Sequence, residues 1–257
     1  MSILTSEGRA VVIAMDHART HGYIEGLEDP GSLIDEVIEA GADAIMTTFG
    51  VVKHYRDHLV GRIPTIVRLD GGPSLYWEDW KAYSEWSLLH SVEDALFLGA
   101  DAVIVNLFLA SPVELASYEV LAKVAGDCLR VKLPVIVEAV PCPSERIPDP
   151  FDTEAATSAA RLAFEHGADL VKTYYTGDGF SQVTGFCPVP LLIAGGAKMD
   201  TAEAALQTVY DAMQGGAAGV VFGRNIWQSD NIPGMVQAMR CLVHDDGSVS
   251  DALQILS

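Results

Sequence analysis

The sequence predicts an α/β fold, a single (β/α)8 (TIM) barrel over residues 1–257, and three observations carry that expectation. The tripeptide Gly-Ala-Asp recurs at 41–43, 99–101 and 167–169, with a degenerate copy, Gly-Ala-Ala-Gly, at 216–219. A proline stands just before an apolar run at Pro64, Pro134 and Pro190. The runs themselves are almost continuously apolar, the pattern of parallel strands covered by helices on the outside.

The elements follow in order. The first strand is the run 11–15. Each Gly-Ala-Asp copy ends a helical pattern and opens a strand: AIMTT, AVIVNLF, LVKTYY and, after the degenerate copy, VVFG. Glycine suits the left-handed position that closes a helix because it lacks a Cβ. The proline-led runs TIVRL, VIVEAV and LLIAGG alternate with these, and proline at a strand's first residue removes no ladder bond. Eight strands result, starting about 30 residues apart, the length of a strand plus its crossover helix. Between them, 30–40, 111–130, 152–166 and 199–215 carry apolar residues at helical spacing. Asp152 with Glu154, and Asp200 with Glu203, place acids where a helix dipole favours them. A doubly wound open sheet is the alternative, but it has a glycine-rich turn after its first strand. Here that strand runs into Asp16-His17.

Composition narrows the function. Hydrophobic residues are 49% and charged residues 20% of the chain, enough apolar material for a large core. The net charge of −19 argues against nucleic acid or an anionic membrane as partner, since both need a basic footprint. Cys128, Cys142, Cys187 and Cys241 are widely spaced, so they read as reduced thiols rather than a disulfide frame or zinc site. The first residues hold Glu7 and only a short apolar run, so no secretory signal is expected, and no run is long enough to span a membrane. A cytoplasmic protein is expected.

Function in such a barrel gathers at the carboxyl ends of the strands. Lys172 lies inside an apolar strand, on the same face as Leu170 and Tyr174. If that face is the interior, desolvation disfavours the ammonium and frees an amine to attack a carbonyl. The plainer alternative is a lysine reaching from the strand end to a carboxylate. Gly195-Gly196 and Gly223-Arg224 end the last two strands, where barrels hold phosphate on backbone N–H groups, and arginine adds a bidentate contact. Asp70 with Gly71 and Gly72 ends the third strand, a further candidate for substrate contact.

A metal is not expected. His54 and His58 stand four apart, but in a strongly polar segment that reads as a solvated helix face. His17 and His21 lack a third His or Cys at a strand end. The aromatic insert 76–86 is expected to pack over the rim or against another subunit, and Cys142 and Cys187 to pack rather than react.

Taken together, Asp16-His17, Val171-Lys172-Thr173-Tyr174-Tyr175-Thr176-Gly177, Ala194-Gly195-Gly196 and Gly223-Arg224-Asn225-Ile226-Trp227-Gln228 resemble the metal-independent class I aldolase family. That family includes archaeal-type fructose-bisphosphate aldolases, aminodideoxyheptulosonate synthases and the autoinducer-2-phosphate thiolase. The stretch from Lys172 to His244 is most similar to the thiolase. The resemblance implies a Schiff base on Lys172, active-site roles for Asp16 and His17, and phosphate binding by Gly196, Ala197, Gly223 and Arg224. It also implies no cofactor and a homo-oligomer, often a decamer. The chain departs from the archaeal aldolases at Val140, where they carry a general acid/base Tyr, and at Glu138, where they carry Trp.

The expected activity is therefore Schiff-base cleavage or formation of a C–C bond in a phosphorylated ketose or related keto compound. Alternatives are a thiolase or transaldolase that passes a carbonyl fragment to an acceptor such as coenzyme A, and a sugar-phosphate binding barrel without turnover. For proton transfer the candidates are Tyr174, Glu138 and Asp16, with Tyr174 favoured. Burial is expected to raise Glu138 towards neutrality.

Overall fold

A computed structural model describes residues 2–77 and 85–256. The strands are β1 (Ala10–Ala14), β2 (Ala44–Thr48), β3 (Thr65–Arg68), β4 (Asp70–Gly71), β5 (Ser87–Leu88), β6 (Ala102–Leu109), β7 (Val135–Pro141), β8 (Leu170–Thr173), β9 (Leu191–Ala194) and β10 (Gly219–Phe222). Eight of them close a barrel in the order β1-β10-β9-β8-β7-β6-β3-β2, every pair parallel. The short pair β4–β5, an antiparallel ribbon above β3, is an addition that the repeat pattern does not show.

Alternation along the strands builds two cores. Val12, Ala14, Met46, Ile66, Ile104, Ile136, Leu170 and Leu192 meet in the barrel interior. Their neighbours Val11, Ile13, Ile45, Val67, Val103, Val137, Val171 and Ile193 face the helices. Both faces are buried, so the runs read as continuous, and each such side chain contributes on the order of 1.5–3 kcal/mol.

The outer helices start as their caps dictate. Asp29 accepts from the Ser32 amide at 3.2 Å ahead of Pro30–Glu39, and Asp152 accepts from Ala155 at 2.9 Å ahead of Thr153–Glu165. One expectation needs correcting. Helix Ala202–Gln214 is capped by Thr201, which accepts from Ala204 at 3.1 Å, so Asp200 lies outside the first turn. The helix Ile232–His244 then packs on Pro30–Glu39 and β1.

The Gly-Ala-Asp repeat has a purpose beyond ending helices. Asp43, Asp101 and Asp169 each grip one residue of a neighbouring strand at two points. Their amides donate to the carbonyls of Val11, Thr65 and Val135, each at 2.9 Å. Their carboxylates accept from the amides of those same residues at 2.6, 3.0 and 2.8 Å. Each strand-end N–H that the ladder leaves open is thereby satisfied. In the degenerate copy the aspartate position is Gly219, at φ +137°, where a Cβ would fall 1.9 Å from the Ala10 carbonyl oxygen. Only glycine fits there.

Candidate active site

The interior-facing positions turn polar one layer above the apolar core. Asn106, Glu138 and Lys172 stand level on adjacent strands β6, β7 and β8. Arg68 joins them from β3 and Asp16 from just beyond β1. All are buried except Glu138, whose side chain is 18% exposed.

Arg68 is the hub. Its Nε donates to Asp16 at 2.9 Å, and its terminal nitrogens reach Asn106, Glu138 and, at 3.5 Å, Asp70. Glu138 carries the second link, its other oxygen lying 2.6 Å from Lys172 Nζ. Asp70 is held from behind, accepting from Trp86 Nε1 at 2.8 Å and from the Asn106 amide at 2.5 Å. A buried charge needs such pairing, since an unpaired one costs several kcal/mol.

The network sets the charges. Burial pushes Glu138 upward, but Lys172 and Arg68 outweigh it and hold the carboxyl at about 2. Burial likewise opposes ionisation of Asp16, and Arg68, His17, Arg19 and Lys172 overcome it, keeping Asp16 well below the usual carboxylate range. Burial works against Arg68 too, yet Glu138, Asp16 and Asp70 hold it charged above its ordinary value. His17 falls to about 4, driven first by burial, so it is a neutral imidazole at neutral pH. Its ring packs edge-on against Trp227 at 5.5 Å, and Trp227 donates to the Ala14 carbonyl at 2.9 Å.

These residues open into a cavity of about 250 Å³ lined by Asp16, His17, Arg68, Asn106, Glu138, Lys172, Tyr174 and Arg224, together with Arg19, Trp86, Phe108 and Val140. On one side, the loops after β9 and β10 meet. Arg224 donates to the Gly196 carbonyl at 2.9 Å, and Asn225 bridges the Gly195 and Ala197 carbonyls at 2.9 and 3.1 Å. Gly196 is left-handed at φ +64° with open space where a Cβ would be. A Cβ on Gly223 would sit 2.6 Å from the His17 ring, so glycine there lets the two strand ends close up.

A buried lysine–glutamate pair under an open, arginine-rimmed pocket is what amine attack on a carbonyl requires, and comparison with known proteins agrees. Residues 10–229 match the family model described as DeoC/LacD family aldolase. The chain belongs to this family. It is 31% identical to the fructose-bisphosphate aldolase class 1 of Thermoproteus tenax, across 99% of this chain and 97% of that one. It is 35% identical to the 2-amino-3,7-dideoxy-D-threo-hept-6-ulosonate synthase of Halobacterium salinarum, across 97% and 92%. A solved archaeal fructose-1,6-bisphosphate aldolase, with its catalytic lysine covalently bound to the carbinolamine intermediate of the substrate, superposes with a TM-score of 0.86 at 31% identity, covering 94% of this chain and 96% of that one. This family member is a carbon–carbon lyase of the Schiff-base class.

Within the aldolase, the positions picked from the sequence fall into groups. Lys172, Glu138, Asp16, His17, Tyr174 and Arg224 line the one cavity. Gly196, Ala197 and Gly223 flank it beside Arg224. Asp70 does not line it: the side chain is fully enclosed and its oxygens are occupied by Trp86, Asn106 and Arg68, so it braces Arg68 and Trp86. The expectation that burial raises Glu138 is also corrected, because two cations outweigh desolvation. Tyr174 lies one residue past the end of β8, its ring 4.9 Å from Phe151.

The aromatic insert falls partly outside the described residues, at 78–84, which include Trp80. Trp86 does pack on the rim, edge-on to Phe108 at 4.6 Å, but it also walls the pocket. His54 and His58 belong to two short helices, Phe49–His54 and Arg56–Leu59, and His58 bonds Asp35 at 2.8 Å. Cys142 packs with Phe108, Val113 and Val140, and burial pushes its thiol up to about 12. Among the described residues no group of His, Cys, Asp and Glu is placed to hold a metal ion, and no helix is long and apolar enough to cross a membrane.

Sequence reading missed Arg68, Asn106 and Arg19 as site residues. The signal for the first two was present. A polar residue in an otherwise apolar strand, the rule that picked Lys172, also picks Arg68 in TIVRL and Asn106 in AVIVNLF.

Proposed function

We propose that Lys172 forms the Schiff base with a phosphorylated ketose or closely related keto compound, and that Glu138 moves the protons. The observation that carries this reading is the 2.6 Å contact between Lys172 Nζ and Glu138 Oε1 at the floor of the pocket. Glu138 takes a proton from the ammonium, and the freed amine attacks the substrate carbonyl. The attacking nitrogen passes one proton to the former carbonyl oxygen, the carboxyl returns its own to the same oxygen, and that oxygen departs as water to leave an iminium ion. That ion draws electrons from the neighbouring C–C bond, while Glu138, again ionised, accepts the proton of the hydroxyl whose carbon is released as an aldehyde.

Charge coupling supports this cycle. Glu138 is held strongly acidic chiefly by the Lys172 ammonium, so discharging that ammonium raises the carboxyl's proton affinity and lets it keep the proton until the carbinol oxygen takes it. Tyr174 lines the same pocket and is the second candidate. Val140, packed against Phe108 and Cys142, offers no proton. We assign the substrate phosphate to Gly196, Ala197, Gly223 and Arg224. Their support is the open left-handed Gly196 and the half-buried Arg224, whose Nε has no hydrogen-bond partner among the described residues. Asp16 and His17 face the substrate from β1, the latter as a neutral hydrogen-bonding group.

We further read residues 1–257 as one cytoplasmic barrel domain in a homo-oligomer, with the decamer implied by family resemblance. Four free cysteines favour a reducing compartment, and exposed Phe97, Leu115, Leu129 and Phe186 favour burial against other copies. Sedimentation at micromolar protein checks this, and a 27.5 kDa species would refute it.

Trapping tests the central assignment. Borohydride with a phosphorylated ketose that the enzyme turns over should add one covalent mass, mapped to Lys172, and Lys172→Met should lose both label and turnover. A label on another lysine sinks the assignment.

A further inference from the structure

Asn106 stands level with Glu138 and Lys172 on adjacent strands, so Glu138 has an amide on one side and the reacting amine on the other. A neighbour decides which way that amide points. A guanidinium carries donors only, so the Asn106 atom that Arg68 meets is the carbonyl Oδ1, and the Nδ2 end is turned elsewhere. The backbone of the residue is fixed too. Its N–H donates to Asp70 at 2.5 Å, past the last β3 pair at Ile104.

What remains is a pair of N–H donors with nothing to bond. Asn106 is only 5% exposed, and among the described residues Nδ2 meets no acceptor. It is not sealed in, since the residue lines the cavity that holds Lys172 and Glu138. An amide so far out of water is costly to leave unpaired, and an oxygen arriving in the pocket would complete it. Two residues further along the three strands stand Phe108, Val140 and Tyr174, which line the same cavity. That wall is largely apolar, and a hydrogen bond beside it is stronger than one in water.

The chemistry selects the oxygen. With the substrate's carbonyl carbon bound to Lys172, the hydroxyl that Glu138 deprotonates has to lie against that carboxylate. An oxygen there also faces the next strand, at Asn106. As the C–C bond breaks, its electron pair passes into the iminium to give an enamine. The hydroxyl proton goes to Glu138, and the oxygen becomes the carbonyl of the released aldehyde. Negative charge develops on that oxygen in between, where fixed donors lower the barrier most.

We propose that Asn106 is a further catalytic residue, whose Nδ2 donates to the hydroxyl oxygen that becomes the aldehyde carbonyl. In the condensing direction the same donor polarises the incoming aldehyde. This role rests on the Schiff base at Lys172 proposed above.

Two probes separate C–C cleavage from Schiff-base formation. One is fructose 1-phosphate. The other is its 4-deoxy analogue, which lacks the hydroxyl and can form the Schiff base but cannot cleave. In Asn106→Ala, cleavage of fructose 1-phosphate should fall by about 10²- to 10³-fold, the effect of losing one such donor. Borohydride labelling of Lys172 by the 4-deoxy analogue should keep the parent rate. The adduct trapped from fructose 1-phosphate should shift from the three-carbon fragment to the intact ketose. Asn106→Asp keeps the shape and the acceptor that Arg68 uses, but once ionised it donates nothing, so cleavage relative to labelling should fall there too. A purely structural role through Arg68 would slow labelling and cleavage together. That result, unimpaired cleavage in either variant, or a native chain that labels with fructose 1-phosphate without cleaving it would overturn the proposal. No label on Lys172 from either probe would overturn the Schiff-base reading and this role with it. Intact cleavage in Glu138→Gln with cleavage lost in Asn106→Ala would move the proton elsewhere and leave Asn106 standing.

Discussion

The two ends of the barrel hold carboxylates in opposite ways. At the amino ends of the strands, Asp43, Asp101 and Asp169 accept from backbone amides of neighbouring strands. At the carboxyl ends, Asp16, Glu138 and Asp70 gather around the Arg68 guanidinium, and Glu138 also touches Lys172. A backbone amide cannot change its charge, so these bonds form a fixed brace, to which Asp43 adds pairs with Arg240 at 3.1 Å and His244 at 2.7 Å. An ammonium can pass its proton to a carboxylate and a guanidinium pair can reorganise, so the upper layer can do chemistry. The barrel separates stability from reaction by what it offers each carboxylate.

That contrast can be broken hardest at Gly219. A Cβ there would meet the Ala10 carbonyl at 1.9 Å, in a backbone conformation at φ +137° that side chains avoid. Gly219→Ala should therefore yield no folded barrel by circular dichroism. A cooperative melt at the parent temperature would show that the amino end of the barrel tolerates what its geometry forbids.

In the upper layer, Glu138→Gln keeps the shape and removes the base. Turnover should fall by about 10²- to 10⁴-fold, the worth of a general acid/base, while thermal unfolding stays cooperative. Tyr174→Phe should stay within about tenfold of the parent. If the two outcomes are reversed, proton transfer belongs to Tyr174.

Asp169→Ala sharpens the comparison from below. It strips the Val135 amide of its part-buried carboxylate partner, which costs about 0.5–1.5 kcal/mol by urea unfolding. Turnover per folded molecule should not change. A loss of turnover without a loss of stability would mean the two ends are coupled.

The smallest effect is in pH. Glu138 ionises at about 2 in the fold against 4.5 ordinarily, so the unfolded chain binds its proton first as pH drops. Its contribution is complete above about 4.5 and is lost as pH falls towards 2. His17, lowered from 6.5 to about 4, acts in the window above: the unfolded chain protonates first, so stability declines from pH 6.5 down to 4. His17→Gln should flatten the slope of unfolding free energy between pH 6.5 and 4 and leave the steeper acid limb. An unchanged slope would show that the imidazole titrates as freely in the fold as out of it.

Much of this was legible in the chain. The Gly-Ala-Asp and proline-led units located seven barrel strands and the opening apolar run 11–15 the eighth, because a strand buried on both faces has to be continuously apolar and glycine or proline suits its ends. Lys172 stood out by the same logic, as a charge where the pattern demands none. Tertiary structure decided the partners. Arg68, Asp16, Asn106 and Glu138 are separated by tens of residues, and only closure of the barrel brings four different strands to one point. It also decided the charge on Glu138: burial alone raises a carboxyl, and the opposite result needs two cations at contact distance. It turned Asp70 inward, because Trp86 folds back over the ribbon to bond it. Periodicity is a local property, written along the strand. Electrostatics depends on distance through space, and that exists only once the sheet has closed.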